Sequence, residues 1–258
     1  MDLSEEIVCL TLDGAGYGSD GKIWGGEVLL ATYTGFERLA RLEYIPLIGG
    51  DRAVENPMRV VFGIFEKLEI ETDYFDDEAA SVLRKALKNS PESCSFGRFL
   101  DAISCYLGVC CKKTYDGEPA IKLERYLNRG KKSHSFEGKI TKSEVKVIET
   151  LPLFEELYSL SYGKTLKDQE KFDLAYSMVS AALEPMVEVA CQEAIDRKIG
   201  KIGITGGVSY NLPIVRMVKD AVEERGLNLI MHNQVPNGDG GISMGQNAIA
   251  GNILEGRG

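Results

Sequence analysis

The hydrophobic rhythm of this chain changes twice, and those changes restrict its fold more than any other feature. The first fifty residues read as a meander of strands. Ile7-Val-Cys-Leu-Thr-Leu12 is apolar and β-branched and stops at the turn signal Asp13-Gly14. Lys22 to Thr32 resumes the strand pattern, and Phe36 to Leu47 alternates until Pro46 and Gly49-Gly50 end it. Helical spacing takes over from Asn56. Met58 to Leu68, Glu78 to Lys88 and Phe96 to Leu107 each place apolar residues on one helical face. A longer helical region, Leu153 to Lys198, is expected to break near Gly163 and to tolerate Pro185. The strand rhythm then returns in Lys201 to Ile204 and Leu227 to Met231, each followed by a helix (Asn211 to Arg225, Gly240 to Ile253). The order predicts one α/β lobe over residues 1–258, with a mixed five-stranded sheet and a largely helical insertion at about 51–198.

Charge excludes some functions. The 258 residues carry a net charge of -9, against the clustered Lys and Arg that a phosphate backbone demands, so no nucleic-acid partner is expected. The run Arg129, Lys131, Lys132 reads as part of an exposed excursion from Arg129 to Lys142. No membrane span is expected, and the acidic Met1 to Glu6 is unlike a secretory leader, so the chain reads as cytoplasmic. Cysteines 9, 94, 105, 110, 111 and 191 show no CxxC spacing and read as free thiols in a reducing compartment, with Cys110-Cys111 as a lesser redox candidate.

Three glycine-rich junctions carry the candidate chemistry. In Leu12-Asp-Gly-Ala-Gly-Tyr-Gly18, glycines 14, 16 and 18 can turn backbone N–H groups toward an anion, and Asp13 can give oxygen to a divalent cation. A plain hairpin turn would need fewer glycines. Thr205-Gly-Gly-Val-Ser-Tyr-Asn211 joins a strand to a helix, where Gly206 and Gly207 suit a ligand and Asn211 suits an N-cap. Val235-Pro-Asn-Gly-Asp-Gly-Gly241 opens the last helix; capping is the leading reading of Asp239, and a metal or phosphate role stays open. Arg98 and Asp101 are three apart and can pair on one helix; Asp101, and Glu118 in the turn Tyr115 to Ala120, can also accept ribose hydroxyls. His134 reads as solvated and His232 as a satisfied strand-end histidine, and no nucleophile–base pair emerges.

The order of elements matches a ribonuclease-H-like lobe of the actin and sugar-kinase (ASKHA) superfamily, which uses two such lobes face to face. One lobe is present here. The ordered series Asp13 to Gly18, Ile23-Trp-Gly-Gly-Glu27, Pro46-Leu-Ile-Gly-Gly-Asp51, Gly97-Arg-Phe-Leu-Asp101, Tyr115 to Ala120, Gly206-Gly-Val208 with Asn211, and Asp239 to Gln246 resembles HypF, the carbamoyltransferase of NiFe-hydrogenase maturation. The resemblance covers only the C-terminal part of that family. It implies a second transferase lobe, with the acylphosphatase-like, zinc-finger and adenylate-forming domains and the histidine-bearing lobe lying outside this sequence. The chain is accordingly read as a fragment or as the product of a split gene.

What the resemblance implies is a carbamoyltransferase, incomplete in isolation, that passes the carbamoyl group of ATP-derived carbamoyl adenylate to the C-terminal cysteine of a HypE-type acceptor, toward the cyanide ligand of the hydrogenase iron. By position, Asp13 and Asp239 would be ligands of a divalent metal, iron or zinc, with histidines supplied by the other lobe. Gly14, Gly16 and Gly18 would face phosphate, Asp101 and Glu118 the ribose, and Gly206, Gly207 and Asn211 the adenylate. Ala15 replaces a common Thr, and Asn237-Gly238 stands where Pro-Asn is common, which is expected to loosen the loop of Asp239. Alternatives are an O-carbamoyltransferase or threonylcarbamoyl-transferase relative, or a non-catalytic nucleotide-binding subunit.

Overall fold

The computed structural model describes residues 6–254. Three antiparallel strands open it: β1 (Ile7–Tyr17), β2 (Ile23–Ala31) and β3 (Phe36–Leu42). The short β4 (Ile45–Pro46) follows, then α1 (Asp51–Glu55), α2 (Met58–Lys67), α3 (Asp77–Leu87), β5 (Glu92–Ser93), α4 (Phe96–Tyr106) and α5 (Glu118–Leu127). A hairpin of β6 (Lys139–Thr141) and β7 (Lys146–Glu149) leads to α6 (Leu151–Ser161) and α7 (Asp168–Asp196). The chain finishes with β8 (Lys201–Thr205), α8 (Leu212–Glu223), β9 (Asn228–Ile230) and α9 (Ile242–Leu254).

The sheet is mixed, with β8 and β9 added in parallel to β1. Its central five strands, the number expected, run β3-β2-β1-β8-β9, and the described sheet is larger. The β6-β7 hairpin extends it beyond β3, while β4 and β5 pair beside β2. These four additions are two to four residues long, too short for an alternation to show in sequence.

Helix α7 is the spine of the core. It is the one helix among the described residues long and apolar enough to cross a membrane on length and hydropathy, but 83% of that window is buried inside the fold. It packs on β1, β2, β3, β7 and β8, so its apolar character serves the sheet. Gly163 ends the preceding α6 region in a left-handed turn, as expected, and Pro185 sits within α7. Proline cannot donate to the carbonyl four residues back, Ala181 O. Gly138 packs there: a Cβ at 138 would lie 2.1 Å from that oxygen. Phe136 is buried in the same segment, and Lys131 N–H donates to Asp173 Oδ1 at 3.0 Å. Part of the lysine-rich excursion is therefore laid along α7 rather than solvated.

The expected third strand is shorter than its pattern. It breaks at Glu43, whose carboxylate turns away to accept the N–H groups of Thr150 (2.9 Å) and Leu151 (3.0 Å) at the start of α6. The cysteine reading also needs correcting, because Cys105 and Cys111 form a disulfide between the end of α4 and the following loop. Cys9, Cys94, Cys110 and Cys191 are free. The argument from wholly free thiols to a reducing compartment therefore does not hold.

Candidate functional site

Asp13 lies where the strand pattern stops, but the strand itself does not stop there. β1 runs on to Tyr17 through a bulge, its pairing to β2 shifting register between Leu12 and Gly16. The bulge turns Asp13 toward the loop after β8. Asp13 Oδ1 accepts the Gly14 N–H at 2.7 Å and the Gly207 N–H at 3.1 Å. That approach needs glycine. A Cβ on Gly207 would stand 3.0 Å from Asp13 Oδ1, and one on Gly206, at φ +93°, would stand 2.2 Å from Leu12 O.

Helix α4 presses on the same bulge from the other side. Its N-cap, Ser95, accepts the Arg98 N–H, and its hydroxyl lies 2.7 Å from Asp13 O and 2.6 Å from Gly14 O. A Cβ on Gly97 would come within 2.7 Å of Gly14 Cα. Behind the hairpin, buried Glu27 accepts the Gly25 N–H (2.9 Å) and Arg38 Nη2 (3.0 Å), and the Arg38 guanidinium stacks 3.7 Å over Trp24. Burial raises the Glu27 carboxyl above its usual range, against the hydrogen bond from Cys94 and the charge of Arg38. The hairpin is thus held from both faces.

These elements enclose a cleft of about 520 Å³. Asp13, Gly14, Gly207, Asn211 and Asp239 line it, so five of the ten candidate residues, drawn from both ends of the chain, meet on one wall. Asn211 also caps α8, accepting the Ile214 N–H at 3.3 Å. The other five are placed differently. Gly16 sits at the exposed bulge, and Gly18 packs beneath Trp24, whose Nε1 would be 2.1 Å from any Cβ there. Gly206 supplies the left-handed backbone that brings Gly207 to Asp13. Asp101 is 1% exposed and pairs with Arg98 Nη1 at 2.8 Å. Glu118 opens α5 and accepts from Lys122 (2.7 Å), Thr114 Oγ1 (2.7 Å) and Thr114 N–H (2.5 Å). These bonds from Lys122 and Thr114 hold the Glu118 carboxyl down at about 2.

Capping does not explain Asp239. It opens a 3-10 turn, Asp239–Gly241, whose cap position is Gly238, and its exposed carboxylate has no hydrogen-bond partner among the described residues. Its loop is nevertheless well fastened. Asn237 O accepts from Gly206 N–H (2.9 Å) and Thr205 Oγ1 (3.2 Å), and the Tyr210 hydroxyl accepts the Asn237 N–H at 3.0 Å. The Asn237-Gly238 substitution therefore leaves this loop tied to the β8–α8 turn. His232, read as satisfied, has Nε2 2.9 Å from Thr205 Oγ1.

The rest of the wall was missed in sequence. Lys113, Asp116, Gly117, Ala120, Ile121 and Glu124 come from α5 and the turn before it. That helix carried a start signal, left-handed Gly117 with Pro119 in the first turn, that a turn reading of the segment concealed. The completed wall is chemically two-sided. Asp13, Asp116, Glu124 and Asp239 are acidic, whereas Val54, Leu100, Ala120, Ile121 and Val208 form an apolar surface. Among the described residues no group of three or more His, Cys, Asp or Glu side chains gathers to hold a metal. Two carboxylates do not make a complete metal site on this chain.

Residues 9–246 match the family described as the second subdomain of the Kae1-like domain of carbamoyltransferase. The chain belongs to the HypF carbamoyltransferase family. It is 39% identical over 253 residues to a probable carbamoyltransferase HypF of Methanocaldococcus jannaschii, a match covering 94% of this chain and 32% of that one. It is 30% identical to the Carbamoyltransferase HypF of Rhodobacter capsulatus, covering 97% of this chain and 33% of that protein. The crystal structure of T. kodakarensis HypF superposes with a TM-score of 0.83 at 34% identity, over 98% of this chain and 34% of that one. A full-length HypF in the phosphate- and nucleotide-bound form gives the same TM-score, 0.83, at 26% identity over 98% of this chain and 34% of that one. The chain thus spans about a third of the length of these HypF relatives. The described sheet, helices and cleft all lie within the 98% of this chain that those structures cover.

Proposed function

We propose that this chain forms one wall of a carbamoyl-transfer site and binds the nucleotide end of carbamoyl adenylate in its cleft. The observation that carries the reading is the convergence of Asp13 and Gly14 with Gly207, Asn211 and Asp239 on a single cleft in a HypF-family chain. A HypF relative in the phosphate- and nucleotide-bound form supports a nucleotide as occupant. The apolar patch suits a base, and the glycine junctions leave room for phosphate oxygens.

Charge sets a condition on that occupant. Four carboxylates line the cleft against two cations, Arg98 and Lys113, and Lys113 is already paired with Asp116 at 2.6 Å. An anionic nucleotide therefore requires a counter-cation. Asp13 and Asp239 would hold a divalent metal, iron or zinc, together with ligands from the first subdomain, and such an ion would neutralise phosphate charge.

The acceptor, in this reading, is a HypE-type protein. Its C-terminal cysteine sulfur bonds to the carbamoyl carbon as the bond from that carbon to AMP breaks, toward the cyanide ligand of NiFe-hydrogenase. None of this chain's free cysteines lines the cleft. Burial pushes the Cys9 thiol up to about 12 and raises Cys94 as well, with Glu27 beside it. The nucleophile then comes from the partner.

The remaining subdomain must supply the facing wall. Helix α9, which starts three residues after Asp239, is an uncharged face suited to that contact. The test is to incubate the full-length polypeptide with carbamoyl phosphate, ATP and acceptor, and to look for a carbamoyl group on the acceptor's terminal cysteine by mass spectrometry. Asp13→Asn and Asp239→Asn are each expected to lower the rate by about a hundredfold or more. An unmodified acceptor with the wild-type protein would leave nucleotide binding without catalysis as the reading to keep.

A further inference from the structure

Arg98 occupies the cleft wall with a role that neither its pairing nor its packing accounts for. The residue is 8% exposed, on the first turn of α4. Its Nη1 lies 2.8 Å from Asp101 Oδ2, yet Nη1 and Nε are buried without an aligned hydrogen bond, and Asp101 Oδ1 is unpartnered too. Its Nη2 points at Gly14: a Cβ there would stand 3.1 Å away. Nη2 makes no hydrogen bond among the described residues. Both Arg98 and Gly14 line the cleft. Lys113, the other cation on the wall, is occupied by Asp116, which leaves Arg98 as the cation with a donor turned to the ligand space.

Burying a guanidinium with unused donors is costly unless something completes them. A carboxylate on one side and an anion on the other would do so, because the guanidinium fork offers two edges. The absence of a side chain at Gly14 keeps the second edge open.

We propose that Arg98 is an anchor for an anionic oxygen of the bound ligand, the phosphoryl group of a nucleotide, and that Asp101 is its positioning residue rather than a ribose contact. This rests on the nucleotide reading of the cleft. The assignment divides the wall: Arg98 and Gly14 take the phosphoryl end, and the apolar surface of Leu100, Ala120 and Ile121 takes the nucleoside.

Calorimetric titration of the full-length polypeptide with adenosine, AMP and ATP, in buffer containing zinc as the counter-cation, tests it. The wild-type protein is expected to bind AMP more tightly than adenosine. Arg98→Gln should weaken AMP and ATP by about ten- to hundredfold while leaving adenosine within about twofold. Arg98→Lys, which keeps the charge and is the safer variant for folding, should lose less AMP affinity than the glutamine variant. Asp101→Asn should also lower AMP affinity and spare adenosine; a ribose contact by Asp101 would instead weaken adenosine. Should the Arg98 variants lose adenosine and AMP equally, or lose neither, the anchor role is overturned and the cleft reading survives. Failure of the wild type to bind any of the three overturns both.

Discussion

At the scale of the residue, the cleft is built from close approaches that tolerate little change. Gly206 is the clearest case, since it combines φ +93° with Leu12 O at 2.2 Å from a would-be Cβ. Gly206→Ala is expected to destabilise the protein by about 1–3 kcal/mol through backbone strain alone, with the clash adding to it. A lowered denaturant midpoint at unchanged slope would show it; equal midpoints would mean that the β8–α8 turn relaxes freely. Asp101 makes a different prediction. Burial raises its carboxyl to about 6 from an ordinary 3.8, with the charges of Arg98 and Lys113 opposing. The folded protein therefore holds this proton more tightly than the unfolded chain. Its contribution to stability is full below about pH 4 and is lost as pH rises through about 6. Asp101→Asn should flatten that part of the stability profile, measured as urea midpoint against pH. A profile unchanged between those values would show that Asp101 is not the group responsible.

At the scale of the element, legibility in the sequence followed length and periodicity. Strand β1 and helices α2 and α8 bury a regular face, while β2, α4 and α7 are buried on nearly every side, and all six are long enough for their patterns to show. Helix α5 was read as a turn, because Glu118-Pro119 follows Tyr115-Asp-Gly117 and its buried residues are few. That omission removed a whole wall of the cleft from view. The glycine junctions were legible as places, but not as roles. Gly14 and Gly207 reach the ligand space while Gly18 merely makes room for Trp24, a distinction set by tertiary contact alone. The loop 235–241 shows the same limit. Its ties to Tyr210 and Thr205 connect residues about thirty positions apart, beyond any local rule. Tyr210→Phe removes the hydroxyl that accepts the Asn237 N–H and approaches that of Gly238 at 3.5 Å. The expected cost is about 1 kcal/mol. Amide exchange should speed up in residues 235–241 and stay unchanged in the sheet. Uniform protection across both would show that Asn237's bonds to the β8–α8 turn suffice.

At the scale of the whole molecule, α9 stands apart from an otherwise well-covered fold. Its thirteen residues, Ile242–Leu254, include no charged side chain, and Asn252 alone is buried. Ile242, Met244, Ile249, Ile253 and Leu254 are 45–87% exposed. Exposed single apolar residues are ordinary, but a whole uncharged helix is not. The main contacts of the helix are with its own preceding 3-10 turn. In the proposed function its exposed face meets the first subdomain, which would also complete the cleft beside Asp239. Placing glutamate at both Ile249 and Ile253 adds two charges at exposed positions. The thermal midpoint of this chain should therefore shift little, because surface substitutions away from packed features cost within about 0.5 kcal/mol. Association with a separately supplied first subdomain should fall by tenfold or more, since charges buried in an apolar contact lose their hydration without a partner. Sedimentation of the mixed proteins, wild type against double variant, measures this directly. Unchanged association would place the subdomain contact elsewhere. A large loss of thermal stability would show that α9 belongs to this chain's own core.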